Sequence, residues 1–490
     1  MKNNHCILMA ASMFIAGLLL FACTSPRSEK LGPTKGQQAM IDRKYGMFLH
    51  YGMNTYLNVE WSDGSAPAGT FNPPADIAEQ AAGWVSNAKK AGMRSIVLTT
   101  KHHDGFCLWN SQYTTYDIAN DSIEHQVDIV KAVADACQRE GIAFSVYYSL
   151  WDRHEACYRD ADKHLYIDYM KNQLKELLTH YGPVHELWFD GAWDRKVEDW
   201  HLQEVYDFVK QLQPDCQIAT NWTVGKRPVD MQEGDSIVYF PSDFRLWDPN
   251  LPVKNDPKIY TYQGKRYYLP YESTQTMSVI GSWFNHPEDS TVREVEELEE
   301  IFYVATTNDN CLLMNVPPAT DGRQNPKAID NLIQLARLLG IEDGKPFPKE
   351  LKRPQSLTTD AAAFSEHRYY KDDTLHYGAQ NAVDSDVTTC WQSADSLATV
   401  TVELDREAAF RQVFVIIGEN SIRKFSIETQ EGQDWKPVYQ SDVLPVSNLN
   451  SFMGYGFIDF SLPERVVAKR LRIRVQQSNG HPSIYSLRLK

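Results

Sequence analysis

From Gln37 to Gly340 short apolar runs that read as strands alternate with stretches whose apolar residues recur at helical spacing. Neighbouring parallel strands need a crossover connection, so this order is the one that builds a parallel sheet from βαβ units. Strand-like runs fall at 95–100, 142–148 and 185–190. Between them, 126–140 places Val130, Val133, Ala134 and Cys137 on one helical face and stops at Gly141, and a second helix aligns Ile167, Met170, Leu174, Leu177 and Leu178. Two later helices are predicted at 291–306, opened by a Thr291-x-x-Glu294 capping box, and at 326–339, opened by Pro326. Over about 300 residues this rhythm fits a (β/α)8-type barrel, with a doubly wound open sheet as the alternative. No G-x-G-x-x-G or G-x-x-x-x-G-K-[ST] follows any strand, which counts against a nucleotide fold.

The catalytic-size domain predicted at 36–341 ends where three prolines and mixed charge mark a linker, 342–354. After it the apolar period changes to two: Val400, Val402, Leu404, then Leu471, Ile473, Val475, then Leu487 and Leu489. Residues 355–490 are therefore expected to form an all-β sandwich. At the other end, Lys2 precedes an apolar run from Ile7 to Leu20, too short to span a bilayer comfortably, and residues 1–22 read as a signal peptide. Leu20-Phe-Ala-Cys23 predicts lipidation of Cys23, with ordinary cleavage nearby as the alternative; the expected location is the periplasm or the cell-envelope surface, with membrane attachment only through that anchor. The other six cysteines show neither a CxxC pair nor a framework spacing, so no metal site is expected from them and no disulfide is demanded. With 49 basic and 64 acidic residues, the net charge of −15 excludes a nucleic-acid partner held by phosphate contacts. Twelve Trp, 25 Tyr and 20 Phe supply the flat apolar faces with polar edges that suit sugar rings, although large cores also use them.

In such a barrel the chemistry comes from the C-terminal ends of several strands, and there the polar residues gather. The runs end in Phe48-Leu-His50-Tyr-Gly, Lys101-His102-His103-Asp-Gly, Tyr147-Tyr148-Ser149 and Trp188-Phe-Asp190-Gly. A lone His50 is more often structural than a ligand, the histidine pair could open a metal site, and Asp190 alone could cap a helix. Metal is the poorer reading, because no i, i+4 histidine or local acidic cluster completes a coordination set. Four strand ends with such residues together describe a pocket of hydrogen-bonding and stacking groups.

These strings resemble the α-L-fucosidases of glycoside hydrolase family 29. The resemblance is carried by Met47-Phe-Leu-His-Tyr-Gly52, Lys101-His-His-Asp-Gly-Phe-Cys-Leu-Trp109 with Ser111, Asp128-Ile-Val130, Val146-Tyr-Tyr-Ser149 and Leu187-Trp-Phe-Asp-Gly191, in order from about Gly46 to Pro317. It implies an exo-acting, retaining fucosidase without a cofactor, acting on fucosylated oligosaccharides or glycoconjugates, with Asp190 as nucleophile. Tyr268-Leu-Pro-Tyr-Glu272 followed by Gly281-Ser-Trp-Phe284 resembles the subgroup preferring branched α1,3/4-linked fucose, and implies Glu272 as acid/base; Glu233 and Glu288 are its rivals, read as surface charge. The implied sugar-binding ring is His50, Glu60, Trp61, His102, His103, Tyr147 (or Tyr148), Trp188 and Trp283. The C-terminal module resembles a discoidin (coagulation-factor type C) sandwich, often a carbohydrate-binding module, with Trp391 read as core. The competing readings are a glycosidase of the same fold acting on another α-linked sugar, and a glycan-binding surface lipoprotein without catalysis.

Overall fold

The structure is a computed structural model that describes residues 31–224, 237–248, 251–252, 256–352, 356–384, 389–418, 421–444 and 455–490. Glu233, the signal segment and Cys23 lie outside the described residues.

Eight parallel strands form the first domain: β1 (Tyr45–Leu49), β2 (Ser95–Lys101), β3 (Ala143–Ser149), β4 (Glu186–Asp190), β5 (Gln217–Thr220), β6 (Arg245–Leu246), then, after an antiparallel hairpin of β7 (Ile259–Tyr262) and β8 (Lys265–Tyr268), β9 (Tyr271–Thr276) and β10 (Cys311–Asn315). They pair in the order β5-β4-β3-β2-β1-β10-β9-β6, and a parallel bridge between Asn221 and Leu246 joins the two ends, so the sheet is a barrel and not the open alternative. All eight are buried along their length, as a sheet flanked by helices outside and packed side chains inside must be. Phe48, Val97, Tyr147, Trp188, Leu246 and Leu313 fill the interior.

Helix α1 (Lys35–Arg43) plugs the N-terminal end: a Thr34/Gln37 capping box starts it, Met40 enters the barrel interior, and Gln37 donates to the carbonyls of Asp243 and Tyr268. After β1 come the short α2 (Met53–Leu57) and α3 (Ile77–Lys90); α4 (Ile129–Glu140), α5 (Lys163–His180) and α6 (Leu202–Leu212) follow β2, β3 and β4. After β9 and β10 come α7 (Val295–Thr306) and α8 (Pro326–Leu339). Among the described residues no helix follows β5 or β6, and the β7–β8 hairpin stands in one of those places. Two predicted starts move inward. Asp128 caps α4 by accepting from Lys131 N–H, so residues 126–127 stay outside it. The Thr291 box does not form, because the Thr291 hydroxyl donates to Asp289 at 2.6 Å and Glu294 takes the cap position.

The second domain is antiparallel. Strands β11 (Ala362–Phe364), β12 (Trp391–Gln392), β13 (Thr399–Gly418), β14 (Ile422–Glu431), β15 (Asp434–Gln440), β16 (Tyr455–Ser478) and β17 (Ser483–Leu489) share one hydrogen-bonded network, with the one-turn α9 (Thr374–Tyr377) beside it. The register of β13 against β16 shifts between Glu403 and Ala408 and again between Phe410 and Gln412. Such irregularities bend long strands, and here they fold the sheet over a core of Val400, Val402, Leu404, Leu471, Ile473 and fully buried Trp391. The six described cysteines are free. Among the described residues no helix is long and apolar enough to cross a membrane.

Candidate active site

All the polar side chains that matter stand at the C-terminal rim of the barrel, and each is brought there by the strand before it. Asp190 ends β4 and is buried. The turn after it needs Gly191: its φ is +76°, and a Cβ there would stand 2.7 Å from the Trp151 side chain. Asp190 Oδ2 accepts from the Tyr147 hydroxyl at 2.8 Å, and Oδ1 accepts from Asn221 Nδ2 at 3.0 Å. The same Asn221 amide nitrogen donates to Asp248, which follows β6. Two carboxyl groups on one amide nitrogen can be no farther apart than two hydrogen bonds laid end to end, about 6 Å.

Burial raises the pKa of both acids. For Asp248, burial and then the charge of Asp190 push it up to about 8, against the Asn221 hydrogen bond. For Asp190, burial is opposed by hydrogen bonds from Asn221, Tyr147 and the Gly191 backbone. Asp248 therefore holds its proton near neutral pH, and the hydrogen bonds that Asp190 accepts favour its charged form.

Three histidines surround this pair, and burial keeps each neutral: His50 and His103 are pushed down to about 3 and His102 well below its usual value. Their hydrogen bonds assign the tautomers. Asn315 uses its Nδ2 on the Trp283 carbonyl, so its Oδ1 accepts from His50 Nδ1 at 2.8 Å, and His50 Nε2 is left as an acceptor. Asn54 takes Ser62 N–H on its Oδ1, so its Nδ2 donates to His102 Nδ1 at 3.0 Å, and the His102 proton sits on Nε2 as a donor. Ser149 donates to the Trp151 carbonyl and so accepts from His103 Nδ1, which leaves the His103 Nε2 lone pair 3.6 Å from Asp190 Oδ2. A sugar hydroxyl beside these two acceptors can donate its one proton to either of them. Glu60 accepts from Trp283 N–H and pairs with His286 at 2.7 Å; the Glu60 contact holds the His286 pKa above its usual value.

The cavity bounded by these groups has a volume of about 110 Å³ and is lined by His50, Glu60, Trp61, His102, His103, Asp190, Trp193, Trp222, Asp248 and Trp283. The structure thus brings together seven of the residues picked out in the sequence. Tyr147 stands just beneath and reaches Asp190, whereas Tyr148 faces the helices and bonds Gln173. Trp188 lies one layer lower in the barrel interior, stacked on Tyr147 at 5.6 Å, and does not line the cavity. A larger groove near α1 and the start of β5 lies at the barrel's opposite end.

Glu272 is not in the pocket, which corrects the acid/base expectation. It is the second residue of β9 and pairs with Cys311, the first of β10, at the N-terminal end of the barrel. Burial and then the charge of Glu186, the first residue of β4, push its pKa well up, while Arg43 and Trp188 pull it down. Glu186 and Asp190 are four residues apart on one strand, about 13 Å. A retaining pair needs carboxyls about 5–5.5 Å apart, so a side chain at the level of Glu186 is too low to act with Asp190. Glu288 is on the surface against Asn58.

Asp248, Trp193 and Trp222, which line the cavity, and Asn221, Asn315 and Asn54, which bond its lining side chains, are absent from the residues expected from the sequence. Asn221 directly follows β5 and Asp248 stands two residues past β6, both at the C-terminal strand ends where Asp190 also lies, but β6 is two residues long and has no period to read. His164, His201 and Glu204 are a group of metal-capable side chains at the N-terminal ends of α5 and α6; none of them lines the cavity, and Glu204 is already paired with Lys171.

The family model described as "Alpha-L-fucosidase" matches residues 68–343, more than half of the chain. The chain belongs to the α-L-fucosidase family, glycoside hydrolase family 29. It is a glycoside hydrolase by that membership. "Alpha-L-fucosidase 1" of Arabidopsis thaliana is 30% identical over 376 residues, 75% of this chain and 68% of that protein. Among solved structures, a glycoside hydrolase 29 family member from an unknown rumen bacterium is 26% identical with a TM-score of 0.53, covering 93% of this chain and 76% of that one. The α-L-fucosidase isoenzyme 1 from Paenibacillus thiaminolyticus has a TM-score of 0.54 at 21% identity over 91% of this chain and 99% of its own, a likeness of fold.

Proposed function

We propose that this fucosidase-family protein removes single terminal α-L-fucosyl groups from glycans with retention, and that Asp190 is its nucleophile. The observation that carries the reading is the pair of carboxyls on Asn221: one held by two side-chain hydrogen bonds that favour its charged form, the other kept protonated, both lining one small cavity. Asp190 attacks the anomeric carbon and forms a glycosyl ester as the bond to the leaving oxygen breaks, and that oxygen takes the Asp248 proton. In the second half the Asp248 carboxylate takes a proton from water, whose oxygen attacks the anomeric carbon and frees Asp190. His50 Nε2 and His103 Nε2 accept from sugar hydroxyls and His102 Nε2 donates to one, and Trp61 and Trp283 supply apolar surface for the C5 methyl of fucose. Asp248 takes the acid/base role expected of Glu272, and Glu233 is the rival outside the described residues.

The test is hydrolysis of 4-nitrophenyl α-L-fucoside and of fucosyl oligosaccharides. Asp190→Gly should lose at least 10³-fold in kcat and regain turnover with azide, giving the β-fucosyl azide. Asp248→Ala should lose far more on oligosaccharides than on the aryl fucoside, whose leaving group needs no proton. If Asp190→Gly keeps full activity the nucleophile is wrong, and the same leaving-group signature in Glu233→Ala instead of Asp248→Ala moves the acid there. Delivery through residues 1–22 with lipidation at Cys23 completes the proposal. Alkynyl-palmitate labelling lost in Cys23→Ala supports it, and a mature chain beginning elsewhere overturns it.

A further inference from the structure

Four tryptophans run in line out of the cavity. Trp61 and Trp193 have centroids 6.3 Å apart at 26°, Trp193 and Trp222 4.7 Å at 31°, and Trp222 and Trp247 5.6 Å at 19°. At such separations near-parallel rings are slipped past one another, so part of each face stays open. The first three line the cavity that holds Asp190, and Trp247 continues the row beyond it. Trp61 is 42% and Trp222 36% exposed, and a contiguous exposed aromatic surface is the kind that marks a binding site.

Trp222 adds a second, independent observation. Its φ is +64°, a left-handed conformation that a bulky residue adopts at a cost of about 1–2 kcal/mol, and strained backbone of this kind gathers at ligand sites. Its N–H donates to Asn221 Oδ1 at 2.9 Å, and Asp248 N–H donates to the same oxygen at 3.2 Å. One asparagine therefore fixes the carboxyl pair by its nitrogen and the tryptophan row by its oxygen. Among the described residues no Lys or Arg lines the cavity, and Glu60, Asp190 and Asp248 do, so the mouth disfavours anionic groups.

We propose that Trp193, Trp222 and Trp247 form the leaving-group subsite, which takes the apolar face of a neutral pyranose, the sugar to which fucose is attached. The inference rests on the fucosidase reading. Its test compares kcat/KM for α-L-fucosyl fluoride, whose leaving group has no ring, with that for neutral α1,2-, α1,3-, α1,4- and α1,6-fucosyl disaccharides. In Trp247→Ala the best disaccharide should lose at least tenfold more than the fluoride, and Trp247→Phe should restore most of that loss. An unchanged ratio in Trp247→Ala overturns the subsite. Should the wild type cleave neither substrate, the fucosidase reading fails by itself, and the row is judged by tryptophan fluorescence titrated with lactose. A saturable change weakened at least fivefold in Trp247→Ala supports it, and no saturable change in the wild type refutes it.

Discussion

Asn221 uses both ends of its side chain, and the position of the proton beside it follows from the company it keeps. Because burial and Asp190 raise Asp248 to about 8 from an ordinary value near 4, the folded state holds a proton there that the unfolded chain has released. The stability lost to ionising Asp248 therefore accumulates as pH rises from about 4 to about 8 and is complete above that. Asp248→Asn should melt at a higher temperature than the wild type, by a margin that is small at pH 4, grows to pH 8 and then levels, as read by calorimetry. If Asp248 is the acid, kcat/KM for oligosaccharides also falls above about pH 8. Glu272 is also a buried carboxyl pushed well up, by burial and then by Glu186, but it stands at the other end of the barrel from Asp190, so Glu272→Gln should keep activity within about threefold on every substrate. A loss confined to poor leaving groups in that variant would return the acid role to it.

At the scale of elements, the site depends on turns that carry side chains away from strand ends at fixed angles. The loop from Trp151 to His154 packs under the loop that follows β2: buried Lys101 pairs with Asp152 at 2.8 Å, and Gly105, with φ +87°, leaves room for the Asp152 carboxylate 2.4 Å from where a Cβ would stand. Gly191 does the same service for Trp151. A side chain at Gly191 meets packed backbone-near atoms and an unfavourable φ together, so Gly191→Ala should cost about 1–3 kcal/mol in denaturant unfolding and at least tenfold in kcat/KM, since Asp190 precedes it directly. An unchanged kcat/KM would mean that the turn does not fix Asp190.

At the scale of the molecule, the last strand ties the two domains together. Arg488 of β17 makes a buried ion pair with Glu300 of α7, Lys490 reaches Glu299, and Phe414 and Ile416 of β13 belong to the same apolar cluster as the barrel's outer helices. Removing one member of a buried ion pair leaves the other uncompensated, typically about 3–5 kcal/mol. Arg488→Met should therefore lower stability by that order, with much of the loss recovered in the Glu300→Leu/Arg488→Met double variant. Equal losses in the single and double variants would show that packing, and not the charge, is what matters there.

What the sequence by itself determined is local and periodic. The alternation of strands and helices, the shift to period two after the linker, and the polar residues at the C-terminal ends of β1, β2 and β4 were legible because each depends on neighbours along the chain. So was the core position of Trp391. The tertiary structure decided the rest. Glu272 reads like a pocket acid because it sits in a motif with Tyr271 and near Trp283, but it is the second residue of its strand, and about 13 Å along a strand separates that end of the barrel from the other. Asp248 and the Trp193–Trp222–Trp247 row come from loops whose meeting depends on closure of the barrel between β5 and β6, through a bridge at Asn221. Tautomers and protonation likewise arise from burial among partners distant in sequence, Asn315 for His50 and Asn221 for Asp248. Spacing along a chain records which groups a strand end carries. Which of them share one cavity, and with how many protons, is set by closure and desolvation.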